Sequence, residues 1–233
     1  MAEKVMVFST CLAEGLWQDA VLATTQVLRH VGYEAAPVPG QTCCGQPAFN
    51  NGDHESARAV LDRAIGLCPD GAEVVVPSAS CTAMFRHGSK LLGSKTGCTK
   101  WWELGEFLWQ RCGVREWPAA RRRERVVFHP ACHRRMLGTE DCHVPLLRLV
   151  EGLDIAEIGD EEQCCGFGGS FCAKHPTVSR GIATAKLDAV RSAGATRVVS
   201  TDVGCLAHLE GVDRAQGGTL RFSHFAEVLA ECL

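Results

Sequence analysis

Short apolar runs alternate with longer amphipathic stretches, and the alternation occurs twice. Val5-Met6-Val7-Phe8 and Val126-Val127-Phe128 are apolar and predict strands. Over residues 16–31, Leu16, Ala20, Ala23, Val27 and Val31 recur every three or four positions, which puts them on one helical face, with Gly32 placed to close the helix. Residues 144–151 predict a shorter helix ending near Gly152. Second strands are expected at Glu34 to Val38 and Asp154 to Ile158. Second helices are expected near 53–66 and 176–193, and Gly194 closes the latter. Third strands are expected at Glu73 to Val76 and Arg197 to Ser200. The fold class is therefore α/β: two pseudo-symmetric β-α-β-α-β cysteine-rich repeats with mainly parallel sheets. The repeats are expected over residues 1–97 and 126–233. Residues 98–125 would be a linker whose middle, Trp102 to Arg111, predicts a helix.

The cysteines carry the same twofold pattern. Shifting the first half by 121 residues sets Cys11 on Cys132, Cys43 on Cys164, Cys44 on Cys165 and Gly45 on Gly166, and a shift of 124 sets Cys81 on Cys205. Disulfides or core packing would not require the same four-thiol spacing twice, whereas two metal sites would. Each of these cysteines follows an expected strand, and parallel α/β sheets gather ligands at the carboxyl ends of their strands. Cys11, Cys43, Cys44 and Cys81 are thus one candidate ligand set, and Cys132, Cys164, Cys165 and Cys205 the other. Four thiolates suit a four-iron cluster, and an adjacent cysteine pair suits a cluster better than one ion. The glycine after each pair lets the backbone turn sharply and approach sulfide. The cofactor expectation is two [4Fe-4S] clusters, with one cluster, or zinc at one site, as the variants.

Composition narrows the partners and the compartment. Lys and Arg number 24 against 27 Asp and Glu, a net charge of −3, which gives no reason to expect nucleic acid or an anionic membrane surface. The dense basic patch, Arg121-Arg122-Arg123 with Arg125, reads as a solvated linker. No apolar stretch reaches the ~18–20 residues of a spanning helix, and no secretory leader pattern opens the chain, so a cytoplasmic location is expected. There 14 cysteines point to metal or redox chemistry rather than disulfides. Cys68, Cys98, Cys112, Cys142, Cys172 and Cys232 have no counterpart in the other half and read as small buried hydrophobes. Cys172, in the glycine-rich loop after Cys165, is the one that would approach the second cluster. That loop lacks the lysine of a phosphate-binding loop. His129, His133 and His208 read as local hydrogen-bonding or surface residues, and Trp101, Trp102 and Trp109 as packing.

These residues resemble the cysteine-rich CCG family, in which a cysteine is followed by Cys-Cys-Gly and then by Cys-x-x-Cys. That family includes the cysteine-rich subunit of heterodisulfide reductase and the iron–sulfur subunits of glycolate oxidase and anaerobic glycerol-3-phosphate dehydrogenase. The segments Phe8-Ser-Thr-Cys-Leu, Cys43-Cys-Gly-Gln-Pro-Ala-Phe-Asn-Asn-Gly, Pro77-Ser-Ala-Ser-Cys-Thr-Ala-Met, Cys164-Cys-Gly-Phe-Gly-Gly-Ser-Phe and His224-Phe-Ala-Glu-Val-Leu are similar to its lactate utilization protein A group. The first cysteine of each Cys-x-x-Cys is Ser78 in the first half and Asp202 in the second, each able to offer an oxygen near a metal. The resemblance implies an electron-transfer subunit of a complex oxidising L-lactate, or another 2-hydroxy acid, to the keto acid and passing electrons toward an acceptor such as quinone. It implies two partners, a ferredoxin-like iron–sulfur subunit and a third subunit, through which peripheral membrane association would come. It also keeps open a thiol–disulfide activity of the heterodisulfide type. A zinc-stabilised binding module without turnover stays open as well.

Overall fold

The computed structural model describes residues 3–94, 99–120, 123–137, 142–159 and 162–233. Cys98, Arg121 and Arg122 lie outside them. The first half runs β1 (Glu3–Val7), α1 (Cys11–Leu16), α2 (Gln18–His30), β2 (Tyr33–Pro37), α3 (Gln46–Asn50), α4 (His54–Gly66) and β3 (Glu73–Val76). It continues through α5 (Ala79–Ala83), a π turn and α6 (Ser89–Leu92) to β4 (Lys100–Glu103) and α7 (Leu104–Glu106). The second half begins with β5 (Glu124–His129), a 3-10 turn (Cys132–Leu137), α8 (His143–Arg148), β6 (Leu153–Ile155), α9 (Phe171–Lys174) and α10 (Pro176–Ser192). It ends with β7 (Arg197–Ser200), α11 (Val203–Ala215), β8 (Arg221–His224) and α12 (Phe225–Ala230).

Among the described residues the strands form two four-stranded parallel sheets, ordered β2-β1-β3-β4 and β6-β5-β7-β8. The α/β class, the parallel pairing and the internal repeat are as the sequence predicts. The fourth strand of each sheet is an addition. Residues 100–103, within the expected linker, pair with β3, so the helix in that segment starts only at Leu104. Both fourth strands are four residues long and pass directly into a helix, with no turn residue to mark the change. Glu103 and His224, 121 positions apart, each cap that helix in a capping box closed by Glu106 or Glu227.

Period-two alternation sorts the strand side chains between layers. Val5 and Val7 of β1, Val75 of β3, Val126 and Phe128 of β5 and Val199 of β7 point into one central core that both halves share. Val27 and Leu28 of α2, Leu146 and Leu147 of α8, and Phe225 and Leu229 of α12 fill it. Phe8, Val74 and Val76 face an outer core under α4, while Val127 and Val198 face one under α10 and α11. Trp101 stacks on Phe85 with ring centroids 3.8 Å apart, as packing rather than a substrate platform. No helix among the described residues is long and apolar enough to cross a membrane.

Candidate metal centre

The carboxyl ends of β1, β2 and β3, and of β5, β6 and β7, open onto the same cavity of about 290 Å³. All eight repeated cysteines line it: Cys11, Cys43, Cys44 and Cys81 from one half, Cys132, Cys164, Cys165 and Cys205 from the other. Leu12, Pro47, Phe167 and Val203 add apolar wall. The two thiol sets thus face one shared space rather than two separate pockets. Every described cysteine is a free thiol. Cys68, Cys112, Cys142 and Cys232 do not line the cavity. Neither does Cys172, whose thiol donates to Gly169 O at 3.1 Å.

Local backbone chemistry places the thiols. Cys11 opens α1, capped by Thr10, whose Oγ1 accepts from Ala13 N–H at 3.4 Å. Thr10 sits at φ 67, the one non-glycine residue among those described with positive φ, a strained conformation for a β-branched residue beside the site. Each Cys-Cys pair ends in a left-handed glycine: Gly45 at φ 89 and Gly166 at φ 90. A Cβ there would lie 2.6 Å from Ala57 O of α4 or 2.5 Å from Ser179 O of α10, so the turn and the close approach both require glycine. The freed N–H of Gly45 donates to Cys43 Sγ at 3.4 Å, and that of Gly166 to Cys164 Sγ at 3.3 Å. Ser78 caps α5 by accepting from Cys81 N–H at 3.2 Å.

The thiols of each set are in contact. Cys44 Sγ lies 3.3 Å from Cys81 Sγ, and Cys165 Sγ lies 2.9 Å from Cys205 Sγ. Their titration is coupled in the same way in both halves. Cys43 is held far below the ordinary thiol range, first by the Cys11 S–H, then by the Cys44 S–H, with the Gly45 and Cys44 N–H groups adding against burial. Cys11 and Cys44 are pushed up in turn, chiefly by donating to Cys43. Cys164 repeats Cys43, with Cys132 and Cys165 as donors and both of them raised. Within each set the S–H donors thus favour ionisation at Cys43 and at Cys164 over their neighbours, and the thiolate is the metal-binding form.

Ser78 and Asp202 line the cavity where the fuller pattern would have a fifth cysteine, and they bind each other. Asp202 Oδ1 accepts from Ser78 Oγ and from Ser80 Oγ, both at 2.6 Å, and Ser80 N–H reaches Oδ2 at 3.3 Å. This pairing joins the two halves across the cavity floor. Gln46 Nε2 and His133 Nε2, 2.8 Å apart, join them again. His133 and His208 behave as local hydrogen-bonding residues, the latter 3.1 Å from Ser179 Oγ. His129 does not. It is 1% exposed, neither ring nitrogen has a hydrogen-bond partner among the described residues, and one ring nitrogen lies within 4.8 Å of both Cys165 Sγ and Cys205 Sγ. Burial first, then the nearby Lys186 ammonium, holds its pKa down to about 3. The sequence marks it only as one of two histidines flanking Cys132.

Converging thiols, one thiol favoured for ionisation in each set, N–H groups on sulfur and an orphaned buried imidazole beside two thiols all fit iron–sulfur binding. The chain belongs to the cysteine-rich domain (CCG) family, whose model matches residues 5–86 and 126–210. It is 33% identical over 242 residues to lactate utilization protein A 2 of Bacillus cereus strain AH820, covering 99% of each chain. It is 34% identical over 235 residues to lactate utilization protein A of Halalkalibacterium halodurans, covering 97% of this chain and 96% of that one. Among solved structures, a putative Asp/Glu racemase from Yersinia pestis aligns at a TM-score of 0.35 and 11% identity over 99% of this chain and 96% of that chain, too slight a likeness to carry any inference.

Proposed function

We propose that this chain is an iron–sulfur electron-transfer subunit of a lactate-utilising system. In it, Cys11, Cys43, Cys44 and Cys81 would hold one [4Fe-4S] cluster and Cys132, Cys164, Cys165 and Cys205 a second. The observation that carries this is the convergence of two pseudo-symmetric four-thiol sets on one cavity. When bound, such clusters supply reversible one-electron redox change. The chain's residues do the rest. Cys43 and Cys164 offer thiolates for the first contact with metal. The Gly45 and Gly166 N–H groups donate to sulfur, which favours the reduced state. Leu12, Pro47, Phe167 and Val203 line the space between the sets with apolar surface. The Ser78–Asp202 bond ties the two halves together at the cavity.

The near full-length likeness to proteins named for lactate utilization supports lactate as the electron source, with another 2-hydroxy acid such as glycolate as the alternative. The system would act in the cytoplasm, with a ferredoxin-like iron–sulfur subunit and a third subunit as partners, and quinone or an equivalent carrier as acceptor. The shared cavity also favours a second function, in which a small disulfide enters it and takes two electrons and two protons to give two thiols.

The test is iron and acid-labile sulfide per chain, with EPR, on anaerobically purified protein. About eight of each and a signal on reduction are expected, falling by about half in Cys43→Ser and again by about half in Cys164→Ser. Unchanged iron in both variants, or stoichiometric zinc with no iron, would sink the assignment. Reduction of a small disulfide by the purified chain and an electron donor would move the function to the second one.

A further inference from the structure

The two thiol sets are alike in their cysteines and differ in what lies beside them. The shift of 121 that aligns Cys11 with Cys132 aligns His129 with Phe8. Phe8 is fully buried and packs edge-on against Phe85 at 4.9 Å. His129 occupies the equivalent place at the end of β5 as a buried imidazole without a hydrogen-bond partner among the described residues. A buried polar group left unpaired is destabilising, so an apolar residue such as the Phe of the first half would be the better choice for packing alone. What lies within reach of the ring is sulfur. Cys165 Sγ and Cys205 Sγ stand within 4.8 Å of one nitrogen and 2.9 Å from each other. Two thiols and an imidazole whose ligand atoms all lie within 4.8 Å of one another can serve as a metal-ligating donor set.

The environment reinforces the asymmetry. Close contacts of Gly45 and Gly166 with Ala57 and Ser179 register α4 on α10 with a shift of 122, which sets Lys186 opposite Ala64. Ala64 is buried among apolar neighbours. Lys186 is buried too, a cation close enough to act on His129. Asp202, by contrast, is occupied by Ser78 and Ser80 and turns its Oδ1 toward the first half.

We propose that His129 is a nitrogen ligand of the second metal centre, bound beside Cys165 and Cys205, and that the two centres are therefore chemically distinct. This rests on the metal assignment above. The first centre is all-thiolate. In the second, His129 takes one iron and one of the four cysteines of that set is released from the metal, so neutral nitrogen replaces anionic sulfur there, which favours the reduced state. The second centre is then the one reduced first, and electrons pass from the first set to the second.

The experiment is pulsed EPR of the reduced protein, unlabelled and labelled with ¹⁵N-histidine, in the wild type and in His129→Phe, His129→Cys, His133→Gln and His208→Gln. A strongly coupled histidine nitrogen is expected in the wild type, shifted by the label, retained in the His133 and His208 variants and lost in both His129 variants. His129→Cys keeps a ligand and is expected to keep full iron, so loss of the coupling there is not loss of fold. Redox titration is expected to resolve two midpoints in the wild type and to bring them together in His129→Cys. Iron at full content with no strongly coupled nitrogen, or only the weak coupling of a hydrogen bond to sulfur, would overturn histidine ligation and leave the cluster assignment standing. Protein without iron would overturn the assignment beneath it, and this proposal with it.

Discussion

Glu103 and His143 form a buried pair, with Oε2 and Nε2 2.8 Å apart and both residues inside the core. Burial alone would raise the Glu103 carboxyl, but His143 and the Glu106 and Gly105 N–H groups override it and hold it below 4.5. Burial alone would lower His143, but Glu103 overrides it and holds it well above 6.5. The carboxylate contribution is therefore present above pH 4.5 and lost as pH falls through its depressed pKa. The imidazolium contribution is present below pH 6.5 and lost as pH rises through its raised pKa. Glu103→Gln is expected to cost about 3–5 kcal/mol, because it removes the carboxylate charge that faces the buried imidazolium. The gap to the wild type, measured by urea midpoint, should be widest between pH 4.5 and 6.5 and narrow on either side. A gap that does not vary with pH would mean the pair is not ionised. At this scale the eight cysteines were legible, because thiol spacing repeats in one dimension. His129, the Glu103–His143 pair and the Ser78–Asp202 bond were not. Each depends on which residue of the other half, or of a neighbouring strand, comes within a few ångströms.

The Cys-Cys-Gly turns are where helix and site meet, and their glycines offer an internal comparison. Gly45 and Gly52 both have positive φ, 89 and 80, but a Cβ at Gly45 would meet Ala57 O at 2.6 Å while one at Gly52 would meet nothing within 4 Å. Gly52→Ala is expected to cost only the backbone strain, ~1–2 kcal/mol. Gly45→Ala is expected to cost at least about twice that, since α4 must move away from the turn that carries Cys43 and Cys44. The urea midpoints of the two variants measure the difference, and equal midpoints would show that the close approach does not constrain the turn. The strands β3 and β7 and the helices α4 and α10 were readable because their apolar periods are clean and glycine or a cap bounds them. α11 also had a signal, Val203, Leu206, Leu209 and Val212 at every third position, hidden by the strand just before it. The strands β4 and β8 carried none: Lys100-Trp-Trp-Glu and Arg221-Phe-Ser-His are too short to show a period, and only the neighbouring strand makes them extended.

The central core makes the two halves one molecule. α2 of the first half packs on α12 of the second. Leu146 and Leu147 share a cluster with Val27, Leu28 and Phe107, and Trp117 Nε1 donates to Leu229 O at 3.0 Å. Trp17 Nε1 reaches Glu227 Oε2 at 2.9 Å in the same region. A site whose ligand sets come from both halves depends on this, because the sheets must stay in register for the thiols to face one cavity. All five tryptophans, Trp17, Trp101, Trp102, Trp109 and Trp117, precede residue 118, and Trp17 and Trp117 touch the second half, so fluorescence reports on the first half and its contact with the second while circular dichroism reports on both halves throughout. Leu229→Ala removes a fully buried side chain from the second half and should cost about 2–5 kcal/mol. If the halves unfold as one unit, urea transitions by fluorescence and by circular dichroism coincide in the wild type, and Leu229→Ala moves both to the same lower midpoint. If fluorescence kept its wild-type midpoint while circular dichroism split in two, the halves would be independent. The shared cavity would then be held by the hydrogen bonds that cross it, among them Ser78–Asp202, Gln46–His133 and Ser170–Asn51. Those few hydrogen bonds, at about 0.5–1.5 kcal/mol each, could not keep two thiol sets in register against thermal motion. The apolar layer between the sheets is what a two-set site requires, and coincident transitions are its signature.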